Sequence, residues 1–540
     1  MGIISAFLIW LLPTAIGHDI EVVWEKSVYD SVVSVFGYDM GAGDVNGDGL
    51  IDIAISWGHY EHETGWVGGV DIYLGYPYGQ EANMTIWTHE EVGSGPEIVV
   101  MDINGDSIFD LVASNRGAGR AVVYFGPLED SQTIDAWMNS YYLPTLSFGH
   151  SLANAGDVNG DGWEDLIIGS PGDRYSTVYG AAYIFFGGPE FNTGEHQPDV
   201  MLPGGLNHGP DGYEEQLGMQ VGGGGDFNGD GYDDVIVAAP TYGNQEIYLC
   251  GRIYIYFGGD PMDTVEDVTF RGESAGNWLG KHTPDILRKE RYAYASFGSQ
   301  YWPDGEFAAP GKAYVLFGGE DYDSIPDVEI IGRTDSSNLT HGGVISVGDA
   351  DHDGRDDLVI GSPTEYRYTN DEWWQGGAYF YRGGNVIDDV YDGWLEGEYD
   401  GEQPGWSLAP AGDVDGDGRS EFLVSSYASD PPVTQVWLCK FTGVGIEESP
   451  ISQKELQLRL SATITGKEVR FYYDKSLNEE VTLSIYDVTG ALVRRYAGIK
   501  ESGIMWDLRD DLGRRVSTGA YTVRLTTDDA AATQRVIVVK

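Results

Sequence analysis

Short apolar runs punctuate the chain between glycine-rich turns. DLIIGSP (165–171), DVIVAAP (234–240) and DLVIGSP (357–363) each run from an acidic residue to a small-residue end. A second kind of run follows each one: GAAYIFFGG (180–188), GRIYIYFGG (251–259), GKAYVLFGG (311–319) and GGAYFYRGG (376–384). Both kinds are short, β-branched or aromatic, and bounded by glycine, a pattern that predicts strands rather than helices. A Gly-containing turn precedes them, as in FGYDMGAG (36–43), FGHSLANAG (148–156) and LGMQVGGGG (217–225). Each unit therefore reads as a small antiparallel sheet. One such sheet cannot bury its own faces, but several closed in a ring pack each sheet on two neighbours.

An acidic loop lies between the Gly-containing turn and the first apolar run of each unit. The loops begin at Asp44 (DVNGDGLID), Asp102 (DINGDSIFD), Asp157 (DVNGDGWED), Asp226 (DFNGDGYDD), Asp349 (DADHDGRDD) and Asp413 (DVDGDGRSE). Their spacings are 58, 55, 69, 123 and 64 residues, and the 123 is a doubled interval. Asp285 falls inside it, where DILRKERYA keeps a first Asp but replaces later oxygens with Arg288, Lys289 and Arg291. Those charges are expected to fill the space a cation takes elsewhere. Seven repeats are thus expected over 30–444.

Oxygens at positions 1, 3, 5 and 9, with a main-chain carbonyl at 7, suit a hard cation that takes about six to eight oxygen ligands. The candidate ligands are Asp44, Asn46, Asp48 and Asp52; Asp102, Asn104, Asp106 and Asp110; Asp157, Asn159, Asp161 and Asp165; Asp226, Asn228, Asp230 and Asp234; Asp349, Asp351, Asp353 and Asp357; and Asp413, Asp415, Asp417 and Glu421. Position 6 is glycine except at Ser107, which makes that loop the weakest of the six. Position 12 holds Ile55, Ile168, Val237 or Ile360, not the Glu of an EF-hand, so these are EF-like turns inside β-hairpins. Up to six structural Ca2+ ions are expected. An Asp/Asn/Gly turn without metal is the alternative for any one loop, but unneutralised carboxylates so close together repel.

The sequence FG…GDVNGDG…DLIIGSP…GAAYIFFGG resembles the FG-GAP repeat, the unit of the seven-bladed propeller of integrin alpha chains and of many secreted bacterial proteins. The resemblance covers about 415 residues. It implies an all-β fold, a seven-bladed β-propeller, with the ligand on the face opposite the calcium loops.

Charge sharpens the division of the chain. The net charge is −55, yet residues 445–540 hold 14 basic and 14 acidic side chains, so the whole excess lies in 1–444. So acidic a surface excludes nucleic acid as a partner, since phosphate binding needs Lys and Arg. The opening MGIISAFLIWLLPTAIG reads as a signal peptide over 1–17, too short for a membrane span, and no other segment looks transmembrane. A secreted or bacterial cell-surface location follows. Cys250 and Cys439 are expected as two buried free thiols.

No catalytic residue emerges. Gly149-His150-Ser151-Leu152-Ala153 resembles a nucleophile elbow but belongs to the repeat's own turn. His59 and His62 are a weak zinc pair. The variable loops, at the other end of the strands from the acidic loops, hold Trp57, His59, Tyr60, Trp66, Tyr175, Tyr179, Tyr242, Tyr366, Tyr368, Trp373 and Trp374, side chains suited to a glycan or protein ligand. Two other readings stay open: a polysaccharide hydrolase or lyase with carboxylates in the central funnel, and a surface-layer component.

From 451 the pattern changes to period-2 runs such as EVTLSIYDVTG and GAYTVRLTT, which predict a small Ig-like β-sandwich over 451–540. The stretch LSIYDVTGALVRRY…WDLRDDLGRRVSTGAYTVRL…RVIVVK resembles the FlgD-like immunoglobulin-type domain and the type IX secretion C-terminal sorting domain. ESPIS stands where the usual Pro-Asn-Pro entry would be, which leaves sorting through the secretion machinery and a plain structural module both open.

Overall fold

The computed structural model describes residues 19–443 and 458–538, apart from 30–33, 62–64, 89–94, 130–132, 140–146, 173–179, 205–214, 244–246, 288–292, 302–309, 320–321, 323, 325, 333–337, 365–375, 384–386, 388–390, 398–401, 430–431, 461–463, 466–468, 474–480, 488–491, 500–502, 510–513 and 527–530. The chain divides into two compact units, Met1–Val444 and Gly445–Lys540. The expected signal peptide lies outside the described residues. Among the described residues no helix is long and apolar enough to cross a membrane.

Among the described residues the first unit holds seven sheets, antiparallel except for one added strand. We number them as blades 1 (34–87), 2 (98–139), 3 (151–203), 4 (220–271), 5 (285–331), 6 (344–396) and 7 (404–441). In each, the first strand of the repeat is innermost and its neighbours follow in chain order. The inner strands touch in sequence, from Ser34–Gly43 through Ile98–Met101, Ser151–Gly156, Gln220–Gly225, Asp285–Leu287 and Val344–Ser346 to Pro404–Gly412, which packs back on Ser34–Gly43. That cycle closes the ring and confirms the all-β propeller.

Closure depends on a strand that lies before the expected start of the ring. Ile20–Tyr29 pairs antiparallel with Pro432–Phe441 and becomes the outer strand of blade 7. Its Trp24 is buried and sets its ring edge-on to Tyr73 and Tyr78, with Nε1–H donating to Gly79 O of blade 1 at 3.2 Å. The two ends of the ring are therefore tied to each other by non-local contacts. Blade 2 gains a fifth strand, Gly194–His196, which pairs parallel with Ala136–Asn139.

The core lies between blades. Ile167, Ala182, Ile184 and Leu202 of blade 3 pack on Val235, Val237 and Tyr254 of blade 4 in one continuous cluster. Because both faces of each blade are covered, the second strands are buried almost throughout, and completely in Asp165–Ser170 and Asp234–Ala239. Cys250 and Cys439 are free and buried within these interfaces.

The second unit is also all-β. A three-stranded sheet and a five-stranded sheet enclose Phe471, Leu483, Ile485, Trp506, Tyr521, Val523 and Leu525. Trp506 is fully buried, and its Nε1–H donates to Arg509 O at 2.9 Å.

Candidate metal loops and axial cavity

The acidic loops fold alike because one carboxylate gathers the turn. In blade 1, Asp44 Oδ1 accepts the N–H of Gly47 (2.7 Å) and of Asp48 (3.1 Å), and Oδ2 accepts that of Gly49 (2.7 Å). Asp102, Asp157, Asp226, Asp349 and Asp413 accept the same position-5 and position-6 N–H groups. The position-5 N–H is shared with the side-chain oxygen at position 3, as from Asp161 to Asn159 Oδ1 at 2.8 Å. Position 6 needs φ > 0, which glycine adopts freely; Gly49 has φ 84° and Gly162 φ 91°. Ser107 takes φ 71° in the same place and still donates to Asp102 Oδ2 at 2.8 Å, so the loop in blade 2 keeps its shape under strain. Position 2 is buried in every loop, from Val45 to Val414, and pins the turn to the core.

Position 9 has a second task. Asp165 Oδ2 accepts the Val158 N–H (3.0 Å) and Oδ1 the Gly187 N–H (2.9 Å), tying the loop to the end of the third strand. Asp52, Asp110, Asp234 and Asp357 make the equivalent pair of bonds. Burial pushes these carboxyls up, to about 7 for Asp165 and about 8 for Asp234, while the backbone donors pull the other way. The loops also join neighbouring blades. The position-8 N–H donates to the position-1 carbonyl of the preceding blade: Phe109 to Asp44 O (3.0 Å), Asp233 to Asp157 O (3.0 Å), Ala293 to Asp226 O (2.8 Å) and Ser420 to Asp349 O (2.9 Å).

In blades 1–4 the donors at positions 1, 3 and 5 are oxygens held by this backbone scaffold, a set that fits a divalent cation with oxygen preference. In blades 6 and 7, Asp349, Asp351 and Asp353, and Asp413, Asp415 and Glu421, bring carboxylate oxygens within 4.8 Å of one another. Asp285 departs from expectation. It lies on the inner strand of blade 5, where its oxygens accept the Ile286 N–H and the Ser346 N–H of blade 6 at 2.9 Å each. Ala293 makes the position-8 bond, and Arg288, Lys289 and Arg291 lie outside the described residues.

A cavity of about 560 Å³ runs along the ring axis, lined by all seven blades. Each inner strand ends where its acidic loop begins, so the residues that start those strands rim the cavity at the opposite end. Unlike the loops, they differ from blade to blade: Tyr38, Glu97, His150, Lys281, His341 and Trp406. On one side Glu97 hydrogen-bonds to Tyr38 and Asp39, and Arg116 Nη2 donates to Tyr38 Oη at 3.3 Å. Burial, and for Glu97 the neighbouring Asp39 charge, raises both carboxyls. On the other side His282 Nε2–H donates to Gln300 Oε1 (2.9 Å), and Gln300 Nε2 donates to His341 Nδ1 (3.1 Å). Burial holds both imidazoles neutral, with Lys281 adding to the effect. Trp406 packs on His341 and Tyr427. Sequence reading missed this rim; the signal was the changing residue near each Gly turn, just after the glycine at Tyr38, His150, Lys281 and Trp406.

Of the variable-loop aromatics, Trp57 and Tyr242 are described, and both are packed. Trp57 meets Trp87 edge-on and its Nε1–H donates to Asp71 Oδ1 at 3.1 Å. Tyr242 is buried beneath the Arg252 guanidinium, which sits 3.8 Å from its ring centroid. The side chains of His59, Tyr60, His62, Trp66, Tyr175, Tyr179, Tyr366, Tyr368, Trp373 and Trp374 lie outside the described residues.

Blades 3, 4 and 6 match a known repeat: the FG-GAP repeat family covers residues 148–185, 217–256 and 341–380. The ring is an integrin-alpha-like FG-GAP propeller. Its relatives include Integrin alpha-7 of Rattus norvegicus, 34% identical over 158 residues, which are 26% of this chain and 12% of that protein. Integrin alpha-PS2 of Drosophila melanogaster is 27% identical over 232 residues, 40% and 16% of the two chains. Integrin alpha pat-2 of Caenorhabditis briggsae is 26% identical over 278 residues, 46% and 21%. The FG-GAP propeller thus matches between about an eighth and a fifth of the length of these relatives.

Proposed function

We propose that this chain is a secreted or cell-surface adhesion module that binds an extracellular glycan or protein through the end of the propeller opposite the acidic loops, with Ca2+ as a structural ion. The reading is carried by the split in chemistry along the axis. At one end six loops repeat one acidic turn whose backbone bonds join blade to blade, which suits a scaffold. At the other end the rim presents an acid pair, a lysine, neutral histidines and a tryptophan around an open cavity, which suits selective recognition. The integrin names of the relatives agree with adhesion. A panel of immobilised glycans and extracellular-matrix proteins, probed with the full chain in calcium, tests the reading. A ligand whose binding falls at least about tenfold in Trp406→Ala or Lys281→Ala supports it; binding untouched by both rim variants refutes it.

The hydrolase reading finds little support in the cavity. Glycosidase carboxyls sit about 5–9.5 Å apart. Among the described lining residues the carboxyls are Asp39, Glu97 and Asp285; the first two hydrogen-bond to each other, and Asp285 is held by two backbone N–H groups. For residues 445–540 we propose a FlgD-like sorting or structural module. Mass spectrometry of the exported protein reads whether it is retained.

A further inference from the structure

The six acidic loops are not chemically equal. Position 3 is Asn46, Asn104, Asn159 and Asn228 in blades 1–4 but Asp351 and Asp415 in blades 6 and 7. In blades 1, 2 and 4 the Asn Nδ2 donates to the position-5 carboxylate: to Asp48 at 3.1 Å, Asp106 at 3.2 Å and Asp230 at 2.9 Å. An aspartate there has no such donor and adds a fourth negative charge.

A second position changes with it. The third strand of each blade runs out in a residue beside the loop. Strand register makes this Leu74, Phe125, Phe186, Phe257 and Phe317 in blades 1–5, Arg382 in blade 6 and Lys440 in blade 7. The two blades with the extra carboxylate are the two with the base. Lys440 Nζ donates to Asp415 Oδ2 at 2.6 Å and to Asp417 Oδ2, and lies 3.5 Å from Glu421 Oε1. Its ammonium thus bridges positions 3, 5 and 9, the carboxylates expected to surround an ion. Glu421 Oε1 is buried and has no hydrogen bond, where the equivalent Asp165 Oδ1 accepts a backbone N–H. In blade 6, Arg382 Nε sits 3.1 Å from Asp351 Oδ2, a carboxylate 2% exposed, and Arg355 Nη1 lies 3.8 Å from Asp353 Oδ2.

We propose that blades 6 and 7 carry their own cation in place of a metal, Arg382 and Lys440 neutralising the loops, so that the ring binds metal only in blades 1–4. The Lys440 ammonium donates hydrogen bonds to oxygens that would ligate an ion, the Arg382 guanidinium forms an ion pair with one, and a divalent cation cannot share those oxygens at close range with a positive side chain. The last two blades therefore hold their loops without calcium. This inference rests on the calcium reading above.

Equilibrium dialysis of the full chain against radioactive calcium counts the ions. The wild type is expected to bind four, one for each Asn-type loop. Lys440→Leu with Asp415→Asn rebuilds the Leu74 and Asn46 pair of blade 1 in blade 7 and is expected to add one ion. The reverse exchange, Leu74→Lys with Asn46→Asp, is expected to remove one, and serves if the first variant does not fold. Five or six ions in the wild type, or no change in either exchange, overturns the inference and leaves the calcium reading standing. No ion in any variant sinks both.

Discussion

Asp165 separates two roles that a metal loop mixes. It opens the second strand of blade 3 and is fully buried. Its oxygens accept the N–H groups of Val158 at 3.0 Å and Gly187 at 2.9 Å. Asp165→Ala leaves both donors without a partner in a site closed to water, at about 1–3 kcal/mol each. The expected loss is therefore about 2–6 kcal/mol, and it is present already without calcium. Asp161, two ligand positions earlier in the same loop, is exposed and accepts the Trp163 N–H at 3.0 Å, a donor water can satisfy. Asp161→Ala should cost under about 1 kcal/mol in chelator and more in calcium. Urea unfolding of the full chain in EDTA, followed by tryptophan fluorescence, reads the difference. If Asp165→Ala unfolds within about 0.5 kcal/mol of wild type in EDTA, or if the two variants lose equally, the staple assignment fails.

Three further outcomes are expected. Trp24→Ala empties the pocket against Tyr73 and Tyr78 that ties the first strand to blade 1; a loss of about 3–5 kcal/mol in chemical denaturation is expected, and a loss under about 1 kcal/mol would contradict ring closure through this strand. Ser107→Gly relieves the left-handed backbone in blade 2 and should raise stability by about 1 kcal/mol; a lowered melting temperature would contradict the strain. Glu97→Gln removes half of the raised carboxyl pair. Raised carboxyls contribute stability at low pH that is lost as pH rises through neutrality, so the variant should overtake wild type by about 1–3 kcal/mol between acid and neutral pH, and parallel melting curves across that range would argue against the pair.

The repeat is legible because each loop and the strand after it obey strict local rules: oxygens at positions 1, 3, 5 and 9, glycine at position 6 in all but one loop, and an apolar run after position 9. Those rules recover the blades and the metal-type loops. Ile20–Tyr29 was not legible, because its partner Pro432–Phe441 lies at the far end of the ring and nothing local marks it. Spacing alone places Asp285 in a loop; register puts it on the inner strand, paired with Ser296. The roles of Arg382 and Lys440 were written in YFYRGG and WLCKFTG, but their meaning appears only when the third strand is laid beside the loop. The rim of the axial cavity is a product of closure, since Glu97 and His341 come together with their neighbours only when seven inner strands converge.

Hydrogen exchange with and without calcium tests the scaffold claim most directly. The account predicts that calcium slows exchange in the loops of blades 1–4 and at the inter-blade N–H groups of Phe109, Asp233 and Ala293, leaving the rim at Lys281, His341 and Trp406 unchanged. Protection that is absent from those loops, or that appears only at the rim, would contradict it.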